Sequence, residues 1–401
     1  MRSPMTGPAG AAAASVILAC LAGASGCGAS HGASASIGGV ASPGASATAG
    51  VSGRCPAVPP VTVYVGTGAG TVVPVRAATN IAGRPIPVGI FPMSLAVTPD
   101  ARTVYVAVGQ DGFAAGAVIP IDTATNSAGP PIGETGRPTG IAITPDGKTV
   151  YVPDYEGGVL PIRTATNTGG ALIMPQSGAD AIAITPDGKT AYVAAGDTVI
   201  PVDTATDTPG TAIRVGSGAD AVAITPDGKT VYVAAGSGVI PVDAATGRPR
   251  PAIHTGQPPD AIAITPDGKT AYADSESSGT VTAINTATNT PVKTMTVGTP
   301  AKIMGRNALY GPGLIAITPD GKTAYAVGTS AVIPVSTATN QAGRPINAGT
   351  HPAYIAIAPC GTTAYVADDS AGTLTPIDTA TGTTGPAIEV GELPGPIVIT
   401  R

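Results

Sequence analysis

Tryptophan is absent, phenylalanine occurs twice and histidine three times in this chain of 401 residues. Aromatic packing therefore falls almost wholly to its 11 tyrosines. Charge is equally scarce, at 11% of residues against roughly 25% in ordinary soluble domains. With a net charge of −5, the chain lacks the basic surface that phosphate-backbone binding requires, and no nucleic-acid partner is expected. Of the histidines, His31 lies in a low-complexity stretch, and His254 and His351 fall in different repeat units. That is little material for a histidine-based catalytic centre. Gly-x-Gly clusters occur, but as punctuation between apolar runs rather than as a phosphate-binding loop. Long apolar runs are missing as well: the stretch Ala11 to Gly23 is about thirteen residues, too short to span a bilayer.

The chain is rich in glycine (55), proline (41) and one repeat. The block Ile-Ala-Ile-Thr-Pro-Asp-Gly-Lys recurs with prolines at Pro99, Pro145, Pro186, Pro226, Pro266, Pro319 and Pro359, spaced 46, 41, 40, 40, 53 and 40 residues apart. A period near forty with short apolar runs marks a four-stranded unit stacked many times, a β-propeller blade. In residues 182–218, Ile182–Thr185 reads as a first strand and Pro186–Lys189 as a turn. Ala191–Ala194, Thr198–Asp203 and Ala212–Val215 read as three further strands, the last of them weak. Nothing in this stretch has helical periodicity of useful length, so the expected class is all-β. An alanine between two large residues of strand one (Ala183, Ala223, Ala263) suits a strand crowded against the central axis. Strand two carries one tyrosine at an equivalent place in every unit, from Tyr64 to Tyr365. Strand three carries Pro74, Pro120, Pro161, Pro201, Pro241, Pro334 and Pro376. Proline there predicts a fourth strand that is short or bulged at that point.

The first recognisable strand, Val61–Val65, has a strand-two sequence, and the last, Ile397–Thr400, a strand-one sequence. The expectation is eight four-stranded blades, closed by pairing of the N- and C-terminal strands; the alternative is seven, with one unit outside the ring. The 53-residue spacing reflects an insertion, residues 299–313, either a functional loop or neutral drift.

The set Tyr-Val-Ala, Val-Ile-Pro-Val-Asp-Thr-Ala-Thr-Asn and Ile-Ala-Ile-Thr-Pro-Asp-Gly-Lys resembles the YVTN-type β-propeller repeat family, the YncE-like group, over roughly residues 59–401. The resemblance implies an exported or cell-surface propeller with an interaction role. It supplies no catalytic residue set. The family's name-giving Asn is replaced here by Val108, Asp154, Ala195, Ala235 or Asp368.

Residues 1–27 read as a lipoprotein-type signal peptide, with Ala24-Ser-Gly-Cys27 as lipobox and Cys27 as the lipidated residue. Cys20 is a rival, and ordinary cleavage with full secretion is the other alternative. Residues 28–54, rich in Gly, Ala and Ser, read as a flexible tether, and residues 55–401 as the propeller. Cys55 and Cys360 would lie at the seam between the first and last blades. They form either a disulfide staple or two free thiols.

Lys148, Lys189, Lys229, Lys269 and Lys322 ring one face, each two residues after an Asp that offsets its charge. The opposite face carries Asp180, Asp220 and Asp260 at equivalent positions of three consecutive units. They are candidates either for a ligand face or for carboxylates that cap loops. Asp154, Glu156, Asp274, Glu276, Asp368 and Asp369 add acidic character there. The expected function is a surface-tethered binding scaffold for a protein, peptide or cell-envelope polymer. It would be a monomer with no cofactor and no catalysis, touching the membrane only through its lipid. The alternative is a metal-assisted lactonase- or lyase-like propeller enzyme.

Overall fold

The computed structural model describes residues 61–110, 114–174, 178–236, 238–298 and 315–400. The signal peptide, the tether, Cys27, Cys55 and the 299–313 insertion lie outside them. The described residues form eight antiparallel sheets and contain no helix. Each sheet follows the strand order one-two-three-four of its repeat. The expected eight blades are observed.

Seven blades are continuous in sequence. The other combines Thr62–Thr67 and Thr71–Arg76 with Ile397–Ile399, in the register Val63 to Ile399, Tyr64 to Val398 and Val65 to Ile397. The Thr400 side-chain oxygen extends this seam, accepting the Thr62 N–H at 2.8 Å. Numbered from this blade as the first, the strands one of successive blades contact one another around the ring and so surround its axis.

There is no single core. Eight buried hydrophobic clusters each lie at one interface between neighbouring blades, the last joining Val63, Val65 and Val75 to Tyr365, Leu374 and Ile388. Covering both faces of every sheet in this way requires apolar residues at both parities of the inner strands.

The strand-three prolines act as the sequence predicted. In the fourth blade, Thr198–Asp203 pairs with Thr208–Pro209 at one end and with Ile213–Arg214 at the other. Between them Pro201, which has no N–H, offers only its carbonyl, which accepts the Gly210 N–H at 2.7 Å. The sixth blade has Ala283 at this position and forms one continuous outer strand, Thr290–Thr296, with a single irregularity between Ala283 and Ile284.

The tyrosines do more than fill space. Each hydroxyl reaches the turn between strands three and four of the next blade. Tyr64 donates to Asn126, Tyr105 to Asn167, Tyr151 to Asp207, Tyr232 to Asn289, Tyr272 to Asn340 and Tyr365 to Asn80. All six acceptor residues have positive φ, between 50° and 56°. Where glycine takes that conformation, at Gly247 and Gly382, the hydroxyl bonds a backbone carbonyl instead, from Tyr192 to Ala244 and from Tyr325 to Thr379. Eight phenols thus tie eight blades into a closed circuit.

Candidate functional site

Asp180 immediately precedes the inner strand Ala181–Ile184, Asp220 is the second residue of Ala219–Ile224, and Asp260 immediately precedes Ala261–Ile264. Three consecutive blades therefore present a carboxyl at the same end of the axis. The equivalent described positions in four other blades are Met93, Thr139, Ala353 and Gly395, none of them acidic.

Asp180 and Asp260 hold loops, as the capping alternative proposed. Asp180 Oδ2 accepts the Gly196 N–H at 3.3 Å, and Asp260 Oδ2 accepts the Glu276 N–H at 2.8 Å. All three also feel burial or one another. Desolvation, followed by repulsion from Asp180 and Asp260, pushes Asp220 up to about 6. Desolvation outweighs the Glu276 amide and puts Asp260 at about 6, with Glu276 adding repulsion. Asp180 is raised by burial, against the Gly196 amide and the charge of Arg137. Behind them Asp274 is almost completely buried, and its carboxyl is raised well above the usual range by desolvation and by Asp260 and Glu276. The arrangement concentrates negative charge that an approaching cation would relieve.

Not all the acidic residues of this face belong to its surface. Asp154 is buried, accepting the N–H groups of Gly136, Arg137 and Glu156. Asp368, fully buried, accepts those of Thr350, His351, Ser370 and Ala371. These two occupy one repeat position and tie the loop between blades to the hairpin beside it. Asp369 lies 2.7 Å from Nδ1 of His351, a pairing that sequence spacing did not signal. His254 is exposed in another blade and takes no part. Among the described residues, no group of three His, Cys, Asp or Glu side chains is disposed to hold a metal ion.

On the opposite face each lysine sits 3.2 to 3.7 Å from the Asp two residues earlier. Those aspartates also accept the Thr hydroxyl and the Lys N–H of their own turn, as in Thr185-Pro-Asp187-Gly-Lys189. This ring is turn architecture. Cys360, exposed in the equivalent turn of the last blade, is disulfide-bonded, and Cys55 lies outside the described residues.

Residues 173–353 match the family model of a domain of unknown function, DUF5074. No curated protein matches the chain. Among solved structures, the chain is similar to dihydro-heme d1 dehydrogenase NirN, solved in complex with DHE, at 16% identity and a TM-score of 0.69. That likeness covers 84% of this chain and 74% of the other. The periplasmic gluconolactonase PpgL of Pseudomonas aeruginosa is similar at 19% identity and a TM-score of 0.57, over 85% of this chain and 99% of that one. Hydrazine synthase of Kuenenia stuttgartiensis is similar at 23% identity and a TM-score of 0.55, over 72% and 96%. Likeness at these identities extends to the fold: the chain is a β-propeller.

Proposed function

We propose that this chain is an exported, lipid-anchored propeller whose acidic sector binds a cationic segment of a protein, peptide or cell-envelope polymer. The observation that carries this reading is the grouping of Asp180, Asp220 and Asp260 on consecutive blades, close enough for the first and third to raise the second. A bound cation replaces mutual repulsion by attraction, so binding draws protons off Asp220 and Asp260. The export leader and Cys27 supply the surface location, and the tether of residues 28–54 supplies reach. The test is calorimetric titration with a lysine-rich peptide at neutral pH, comparing wild type with the D220N/D260N double variant. A saturable interaction that is lost in the variant and weakens below about pH 6 supports the reading. Equal affinity in both proteins overturns it. Growth with labelled palmitate, with Cys27→Ala as control, tests the anchor.

A lactonase- or lyase-like activity is the second reading. It draws on the half-buried carboxyls near pH 6, which suit general acid–base work, and on the fold shared with the gluconolactonase. Gluconolactone hydrolysis that falls in D220N/D260N would favour it over the scaffold.

A further inference from the structure

The sixth blade departs from the others at its outer rim. Its fourth strand, Thr290–Thr296, runs for 7 residues, whereas the described fourth strands of the other blades are pieces of 2 to 4. The cause is Ala283, which pairs with Lys293 at a position where the strand-three proline of the other blades has no N–H to give. The result is a continuous sheet edge of the kind that proteins normally interrupt.

The register shows what this edge offers. The Val297 N–H donates to the Gly279 carbonyl at 2.8 Å, so by alternation Met295 and Lys293 bond inward to Val281 and Ala283. The N–H and C=O of Thr294 and Thr296 therefore point outward, on the side where the strand pairs with no other described strand. Both threonines are exposed, and Val292, left out of register by the bulge, is 55% exposed.

Charge decides what can pair there. The outer strands Ile253–His254 of the fifth blade and Gln341–Ala342 of the seventh touch this strand on either side. In strands three and four of these three blades, Arg248, Arg250, Lys293 and Arg344 are opposed by Asp243 alone, which pairs with Arg250. All four cations are exposed. Lys293 shares a strand face with Met295, which packs in the cluster joining the sixth blade to the seventh, the blade of Arg344. A second copy laid along this edge would bring like charges together, whereas an acidic strand meets opposite ones.

We infer that this edge takes up an extended acidic peptide segment by β-strand addition, its main chain bonding Thr294 and Thr296 and its alternate carboxylates facing Lys293 and Arg344. The surface lies on the rim, away from the acidic mouth, and the inference stands apart from the function proposed above.

The probe is a short acetylated peptide alternating glutamate and threonine, titrated calorimetrically into the protein. The acidic mouth repels this probe, so its binding reports on the rim. Saturable one-to-one binding is expected, weakened about tenfold or more by Lys293→Glu with Arg344→Glu. Methylating one alternate set of the peptide's amides should abolish binding, and methylating the other set should spare it, because only one set faces the edge. Ala283→Pro restores the residue of the other blades, breaks the outer strand and should abolish binding with cooperative unfolding retained. The charge-reversal variant leaves the strand whole and carries the test if Ala283→Pro does not fold. Absence of saturable binding, equal binding of a lysine–threonine peptide, equal binding of the two methylated peptides, or unchanged affinity in a folded variant overturns the inference.

Discussion

The phenol of Tyr365 donates to the Asn80 side-chain oxygen at 3.1 Å, joining residues 285 apart in the chain. This is the bond of the tyrosine circuit that crosses the seam between the last blade and the first. Tyr365→Phe should destabilise the fold by about 1 kcal/mol in urea titrations. Asn80→Gly should cost less, because glycine keeps the φ of 54° and the phenol can turn to a backbone carbonyl, as Tyr192 does beside Gly247. The double variant should cost little more than Tyr365→Phe alone. Full additivity would show that the two residues are not coupled.

Removing residues 397–401 uncovers the edge of Thr62–Thr67 and leaves its N–H and C=O groups unpaired. The truncated protein should lose cooperative unfolding and self-associate through that edge. Light scattering coupled to size exclusion reads this directly, and a well-behaved monomer with an unchanged melting temperature would contradict it.

Asp220 titrates near 6 in the fold, above its ordinary value of 3.8, chiefly through desolvation and then through Asp180 and Asp260. A raised carboxyl favours the folded state when protonated, so its contribution is present below about pH 4 and is lost as pH rises through about 6. Asp220→Asn should therefore melt higher than wild type at pH 8. The difference should vanish toward pH 4. A constant offset across that range would remove titration as its cause.

Asp368 behaves in the opposite sense. Desolvation alone would raise its carboxyl, but the N–H groups of His351, Ala371 and Thr350 and the Ser370 hydroxyl overcome it and lower it to about 2. Its contribution is present above the ordinary value of 3.8 and is lost as pH falls toward 2. Asp368→Asn should cost about 2 kcal/mol at neutral pH, with the gap to wild type narrowing in acid. Urea midpoints at several pH values check both the size and the sign.

Cys360 is disulfide-bonded, and we propose Cys55 as its partner. Non-reducing peptide mapping should recover the two cysteine peptides as one mass, and reduction should separate them. A cross-linked species containing another cysteine would refute the pairing.

Much of the architecture was legible in the chain because each of its causes is local. The forty-residue period, the Thr-Pro-Asp-Gly turn and the strand-three prolines act within a few residues of themselves. Pro201 dictates the gap in its outer strand whatever surrounds it, and Ala283 explains why the sixth blade has none. Ring closure was also legible, since a strand-two sequence at one end and a strand-one sequence at the other complete each other. The tyrosine circuit was not. An Asn, Asp or Gly at a fixed place in each unit signals a left-handed turn residue, but not that a phenol from the preceding blade will find it.

The acidic face divides in the same way. Sequence placed Asp180, Asp220 and Asp260 at equivalent positions and proposed that they cap loops, and the amides of Gly196 and Glu276 meet two of them. It also grouped Asp154 and Asp368 with the exposed acids, whereas both are buried loop ties. Composition and periodicity determined what each blade is and how many there are, since strand, turn and gap are set by neighbours along the chain. Only the tertiary structure decided which carboxyls are buried and which repel one another. Desolvation and Coulomb interaction depend on distance in space, and the tyrosine bonds between blades join residues at least 52 positions apart.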